Sequence, residues 1–133
     1  MTPPNTGVRT GFHRAAAYIK LTRRVMATLR NIDDRTTLDE ALGNPRAVLY
    51  KHSTRCPVSA YVFEDVCNFA ESHPDWKVYV LKVIEQRALS DEATARLAVP
   101  HQSPQVFIIK DGDCVWNASH SDITEQALNQ QAN

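Results

Sequence analysis

Leu49-Tyr50-Lys51-His52-Ser53-Thr54-Arg55-Cys56-Pro57-Val58-Ser59 joins a strand-like run to a helix through a single cysteine. Ala47-Val48-Leu49-Tyr50 reads as the strand and His52 to Arg55 as a polar loop. From Pro57 onward, residues repeat at helical spacing. Proline suits the first helical turn, where its missing N–H would have had no partner. Cys56 is thereby predicted at the helix N-cap, facing free backbone N–H groups and the positive end of the helix dipole. A thiolate is the anion such a position favours, and cysteines so placed have a pKa of about 3.5–7.5, against about 8.5 when free. Arg55 beside it and His52 in the same loop are expected to push the same way. Ser59 stands three residues on, with its hydroxyl expected to face the sulfur. The pattern is C-x-x-S, a dithiol motif without its second sulfur. The competing reading is a small buried cysteine ahead of a helix-starting proline.

With 133 residues, 43% of them apolar, the chain is long enough for one domain with a substantial core. No run of 18 or more apolar residues occurs, so no membrane span is expected. Cys56, Cys67 and Cys114 are too few and too unevenly spaced for a disulfide framework. Neither they nor the five histidines cluster at metal-ligand spacing, so no metal site is expected. A reducing cytoplasm is the simplest home for such a chain. The net charge of zero hides an asymmetry: residues 1–30 carry six basic side chains and no acidic one, which leaves a net of −6 on the remainder. That balance argues against nucleic-acid binding as the main task.

Residues 1–33 read as a basic N-terminal extension, partly helical, ahead of a domain at 34–133. In the extension, Phe12, Ala15, Ile19, Val25, Met26 and Leu29 share a broad helical face. Three readings of it stay open: a targeting or membrane-surface helix, an added helix docking on the domain or a partner, or an upstream stretch if translation begins at Met26. Thr37-Leu38-Asp39-Glu40 has the form of a capping box opening a short helix, which Gly43-Asn44-Pro45 stops. Strand 46–51 leads to Cys56, and Val62, Val66 and Phe69 form the core-facing stripe of a helix from Pro57 to about Ser72. Lys77–Ile84 is a near-continuous apolar run, the mark of a strand covered on both faces. Ser90 is expected to cap a helix to about Ala98. Val106–Ile109 and Cys114–Ala118 flank Lys110-Asp111-Gly112-Asp113, a strong hairpin signal, and Ser121 or Thr124 caps a last helix.

The order α-β-α-β-α-β-β-α is that of an α/β, thioredoxin-like fold: a four-stranded mixed sheet flanked by helices, here with an extra N-terminal helix. Such folds carry the reactive cysteine at the end of the first of these strands, where Cys56 falls. They also place a cis-proline just before the third, facing the cysteine, and Ser103-Pro104 stands there.

Three separated segments resemble one family. His52-Ser53-Thr54-Arg55-Cys56-Pro57-Val58-Ser59 is similar to its H-S-x-x-C-P-I-S site, and His101-Gln102-Ser103-Pro104-Gln105 to its H-x-S-P-Q segment. Val115-Trp116-Asn117-Ala118-Ser119-His120 with Ile123-Thr124 is similar to its V-W-x-A-S-H…I-T ending. The family is the monothiol bacilliredoxins, and the resemblance covers roughly residues 36–126. It implies a cytoplasmic stress-response oxidoreductase without bound cofactor, in which Cys56 attacks a protein–bacillithiol mixed disulfide and takes the bacillithiol onto itself. It implies S-bacillithiolated client proteins as partners, bacillithiol as co-substrate, and a second bacillithiol or a disulfide reductase to restore Cys56. Val58 stands where the family has Ile, Arg55 adds a charge beside the nucleophile, and Cys67 and Cys114 have no role in the pattern.

Cys67 is eleven residues from Cys56, about 16 Å along a helix at 1.5 Å per residue, too far for a disulfide. It reads as packed core, and Cys114 as a strand residue at the far end of the sheet. Two other functions compete with the exchange reading. One is a thioredoxin-like stress or adaptor module without redox catalysis. The other is a glutathione-linked monothiol glutaredoxin, against which the missing C-G-F-S signature counts.

Overall fold

The computed structural model describes residues 29–133 of the chain. The helical pattern from Phe12, and with it most of the basic extension 1–33, lies outside the described residues. The end of that stretch is described and is not helical: Leu29–Asn31 forms a strand, β1. The elements that follow are α1 (Arg35–Leu42), β2 (Arg46–His52), α2 (Pro57–Ser72), β3 (Lys77–Lys82), α3 (Arg87–Leu97), β4 (Gln105–Lys110), β5 (Asp113–Ser119), a 3-10 turn at His120–Asp122 and α4 (Glu125–Ala132).

They build one five-stranded sheet in the order β1-β3-β2-β4-β5. β1, β3 and β2 are mutually parallel, while β4 runs antiparallel to both β2 and β5. The thioredoxin-like layout is as expected, with a fifth strand added to the four. β1 pairs Leu29 with Val78 and Asn31 with Val80, so β3 has a neighbour on each side. That explains the unbroken apolar run of β3, in which Val78, Tyr79, Val80 and Leu81 are all buried. β1 itself is three residues long and mostly exposed, too short to show an alternation in sequence.

Each face of the sheet carries a core. Val48, Tyr50, Val78, Val80, Val106 and Ile108 point toward α2 and α4, where Val62, Val66, Phe69 and Leu128 meet them. Ala47, Leu49, Tyr79, Leu81, Phe107 and Ile109 point the other way, toward Leu38 and Ala41 of α1 and Ala93 of α3. The hairpin turns at Asp111 and Gly112, whose φ values of 52° and 81° are both left-handed, as a two-residue turn between twisted strands requires.

Helix starts differ from the capping signals in two places. α1 begins at Arg35 because the Asp34 carboxylate accepts the Thr37 N–H at 2.8 Å. Thr37 therefore lies inside the helix, and Glu40 turns instead to Tyr79 Oη and Arg30. α3 begins at Arg87 after Gln86, which puts Ser90 in the helix interior, buried. The chain leaves β3 after Lys82, two residues earlier than the apolar run suggested, because the Gln86 N–H bonds to the Lys82 carbonyl at 2.8 Å and folds residues 83–86 into a turn. Thr124 caps α4, accepting the Ala127 N–H at 3.1 Å.

β2 also carries a cation into the interior. Lys51 follows Ala47 and Leu49 on one face and is fully buried. Its Nζ donates to Thr94 Oγ1 at 2.7 Å and meets His101 Nδ1 at 3.1 Å, and it lies 5.7 Å from the centre of the Phe107 ring. Burial lowers its pKa from 10.5 to about 8, since desolvation penalises the charged form. Between those pH values the unfolded chain holds more protons than the folded one, so this residue makes stability rise with pH. Urea unfolding of the wild type and Lys51→Met across that window is therefore expected to show the difference in stability shifting toward the wild type as pH increases. A constant difference would mean that Lys51 titrates normally. The comparison cancels the opposing titrations of Tyr79 and Cys67, whose pKa values are raised to about 12 and 11.

Candidate active site

Cys56 sits where β2 ends and α2 begins. It is the N-cap of α2, with extended dihedrals φ −104° and ψ 120°, and Pro57 takes the first helical position. Its own N–H bonds to the Ser53 carbonyl at 3.3 Å and its carbonyl accepts the Ala60 N–H at 3.3 Å. The backbone is thus held on both sides while the half-buried sulfur faces the helix end. The sulfur makes no hydrogen bond of full capping geometry. The amides of Ser59 and Val58 and the Ser59 hydroxyl nonetheless stabilise a charge on it.

The thiol is accordingly held below its ordinary value, first by the Ser59 amide, then by the Val58 amide and the Ser59 hydroxyl, with desolvation opposing them. The expected help from Arg55 and His52 is not among these causes. Arg55 is exposed, and a charge in water is screened. His52 is held toward its neutral form, its pKa lowered by burial and by Lys82. Ser59 does more than sequence spacing showed. It is fully buried, and its hydroxyl accepts the Ser53 N–H at 3.2 Å. One side chain thereby ties the start of the loop to the first turn of the helix.

Beneath this turn lies Tyr50, a residue sequence reasoning passed over as plain core. Its hydroxyl donates to the Ser59 carbonyl at 2.9 Å and meets His52 Nδ1 at 3.1 Å. A hydroxyl has one proton, so both bonds hold together only if His52 carries its proton on Nδ1. The His52 ring packs against Tyr50 and Phe63, with centroids at 5.5 and 5.1 Å, and those two rings stack on each other at 6.0 Å. His52 is a brace under the site, fixed by two aromatic rings and one hydrogen bond.

Ser103–Pro104 is a cis peptide bond. Gln105 pairs with Lys51 across β4 and β2, so the loop that holds Pro104 reaches the same end of the sheet as Cys56. Gln105 closes this loop from inside: its buried side chain accepts the Gln102 N–H at 3.0 Å and donates to the Pro100 carbonyl at 3.2 Å. On the other side, the His120 N–H bonds to the Pro104 carbonyl at 3.0 Å. Lys51, Tyr50 and Gln105 are the site residues sequence reasoning missed. The signal for Lys51 was present, because a lysine two positions after Leu49 on a buried strand must face the core.

The other two sulfurs lie apart. Cys67 is three turns further along α2, and burial with nearby Glu64 pushes its thiol up to about 11. Cys114 pairs with Ile109 beside the hairpin turn, at the opposite end of the sheet, and burial raises its pKa as well. All three cysteines are free. Among the described residues no His, Cys, Asp or Glu cluster could hold a metal ion, and no helix is long and apolar enough to cross a membrane. Next to Cys56, Pro57, Val58, Tyr61, Val62 and Ile123 line an apolar cleft of about 390 Å³.

Comparison with known proteins gives both family and fold. The family model for monothiol bacilliredoxin BrxC matches residues 27–128. A solved structure with a thioredoxin fold is 29% identical, covers 82% of this chain and 97% of its own, and superposes with a TM-score of 0.76. Mitochondrial thioredoxin 3 from Saccharomyces cerevisiae is 15% identical over 80% of this chain and 95% of its own, with a TM-score of 0.66. A mutant thioredoxin from Halobacterium salinarum is 20% identical over 77% and 86%, with a TM-score of 0.64. The two thioredoxins, at such low identity, show the fold alone.

The hydrogen bonds at Cys56 set an expectation for its titration. In a Cys67→Ser/Cys114→Ser background, the pH midpoint of alkylation is expected below the ordinary cysteine value. Adding Ser59→Ala raises that midpoint part of the way back, because the two amides remain. Arg55→Ala leaves it where it was. A midpoint that moves with Arg55 and not with Ser59 would show that charge, not the helix end, sets the reactivity.

Proposed function

The chain belongs to the monothiol bacilliredoxin family, and from that premise we propose that it removes bacillithiol from S-bacillithiolated proteins through Cys56. Family and fold support a thiol oxidoreductase. The observation that carries the finer reading is a lone activated cysteine at a helix N-cap, with no second thiol within reach.

The Cys56 thiolate attacks the bacillithiol sulfur of the mixed disulfide. A bond forms between the two sulfurs, the client–bacillithiol bond breaks, and the client leaves as a thiolate that takes a proton from water. A depressed pKa keeps Cys56 ionised for the attack and makes it a good leaving group in the next step. Ser59 has no sulfur to offer, Cys67 lies too far along α2, and Cys114 is at the other end of the sheet. The second bacillithiol or a disulfide reductase must therefore come from outside, attack the adduct and release Cys56 as thiolate. Clients are proteins, and the exposed Val58 and Tyr61 beside the sulfur supply an apolar surface for a polypeptide to meet. With a stress-response role, bacillithiol is the co-substrate and no cofactor is held. A cytoplasmic setting is consistent with thiols that stay free.

The test is release of bacillithiol from a modified client protein, followed by mass spectrometry. The wild type is expected to gain one bacillithiol, on Cys56, while Cys67 and Cys114 stay unmodified at neutral pH. Cys56→Ser is expected to reduce release to the uncatalysed rate. An unchanged rate in that variant, or a Cys56 that alkylates like a free thiol, would favour a binding module that has kept the fold without the chemistry.

A further inference from the structure

On the face of the sheet away from α2, a second cavity opens at the same end of the molecule. It has a volume of about 290 Å³ and is lined by Val83, Ile84, Arg87, Ser90, Asp91 and His101. That is at the small end of ligand clefts and suits part of a small molecule. Two bonds tie its rim to the cysteine loop: the Val83 N–H to the His52 carbonyl at 3.0 Å, and Thr54 Oγ1 to the Glu85 carboxylate at 3.1 Å. His101 enters from the segment that ends in Ser103–Pro104.

The lining presents hydrogen-bond donors, most of them at the exposed mouth and one buried. Four of the described arginines are engaged: Arg30 with Glu40, Arg35 with Glu92, Arg46 with Asp75, and Arg96 with Asp39 and Glu92. Arg87 has no carboxylate in range among the described residues. The Ser90 hydroxyl is buried and has no partner, a condition that is unfavourable until a partner is supplied. His101 Nδ1 accepts from the Lys51 ammonium, so its proton is on Nε2 and that nitrogen is a donor. Burial lowers the His101 pKa most, then Lys51, while Asp91 raises it and Arg87 lowers it least, which places these charges around one ring. Guanidinium, imidazole N–H and hydroxyl suit a carboxylate. Asp91 suits an amino or hydroxyl group, and Val83 with Ile84 suits a carbon skeleton.

We propose that this cavity holds the carboxylate-bearing part of the low-molecular-weight thiol while its sulfur exchanges at Cys56. Arg87 and His101 bind the carboxylate, Ser90 completes its hydrogen bonds, and Asp91 takes an amino or hydroxyl group. The inference rests on the exchange reading above and names the part of the molecule that selects its small-thiol substrate. The neutral disulfide of 2-mercaptoethanol has no carboxylate and gains nothing from the cavity.

The test compares the rate of Cys56 exchange with bacillithiol disulfide and with 2-hydroxyethyl disulfide, in the full chain. In Arg87→Ala the ratio of the two rates is expected to fall about tenfold or more, the order expected for one charged hydrogen bond. The loss is expected to appear as a higher KM for the bacillithiol compound, and Arg87→Lys recovers part of the ratio. Ser90→Ala lowers the ratio by a smaller factor. If the wild type exchanges with bacillithiol disulfide and Arg87→Ala leaves the ratio unchanged, or slows both disulfides alike, the cavity assignment is overturned and the exchange reading stands. If the wild type does not exchange with bacillithiol disulfide, the reading of the function falls and the assignment falls with it.

Discussion

A helix begins with N–H groups that have no acceptor of their own, and in α2 those groups face residue 56. With Ser, Asp or Asn at the cap, a side-chain oxygen would satisfy them. A cysteine in its neutral form does so poorly and in its ionised form does so well. The unsatisfied amides of Val58 and Ser59 are thus the same feature as the lowered thiol pKa. The chain keeps a weaker cap in exchange for a sulfur that carries charge. The rest of the site holds the first turn still: Ser59 bonds to Ser53, Tyr50 to Ser59, and His52 to Tyr50.

The sheet is what brings the second loop to this turn. β2 lies between β3 and β4, parallel to one and antiparallel to the other. The end of β2 therefore meets the end of β3 on one side and the start of β4 on the other. Val83 leaving β3 and Pro104 entering β4 converge on His52 for that reason alone. A parallel pair without the antiparallel hairpin would leave the cysteine loop with one neighbour. The cis-proline loop is then fixed by Gln105, by the His120 N–H and by the contact of Lys51 with His101.

Much of this was legible in the residues, because the signals were local. A strand, then Cys-Pro, then a periodic helix needs no tertiary information, and neither does Asp-Gly between two apolar runs. What escaped depends on neighbours distant in sequence. β1 is a strand only because β3 offers it an edge, and its three residues carry no pattern. Asp34 outcompetes Thr37 as a cap by where the chain arrives from β1, which a capping box cannot show. Ser90 looked like a cap and is buried instead, because the Gln86–Lys82 bond turns the chain straight after β3 and α3 starts sooner. Arg55 was credited by proximity in sequence, yet it is exposed and is not among the groups that lower the thiol pKa.

The two faces of β2 divide the work at its end. Side chains alternate along a strand, so Tyr50 and His52 fall under the cysteine and Lys51 falls on the far side. On the near face the buried groups of β2 are a phenol whose pKa is raised by burial and a histidine whose pKa is lowered by burial and by Lys82, its partner on β3. The far face holds the buried cation, with Lys51 bonded to His101. Proton counting fixes the two histidines as opposites. The Tyr50 hydroxyl spends its proton on Ser59, which leaves the His52 proton on Nδ1. The Lys51 ammonium has protons to give, which leaves that of His101 on Nε2. Exchanging residues 50 and 51 would keep the composition of the strand and put a cation under the nucleophile, beside amides that already stabilise it. The order Tyr50-Lys51-His52 instead leaves the thiolate to the helix and turns the cation toward the second cavity.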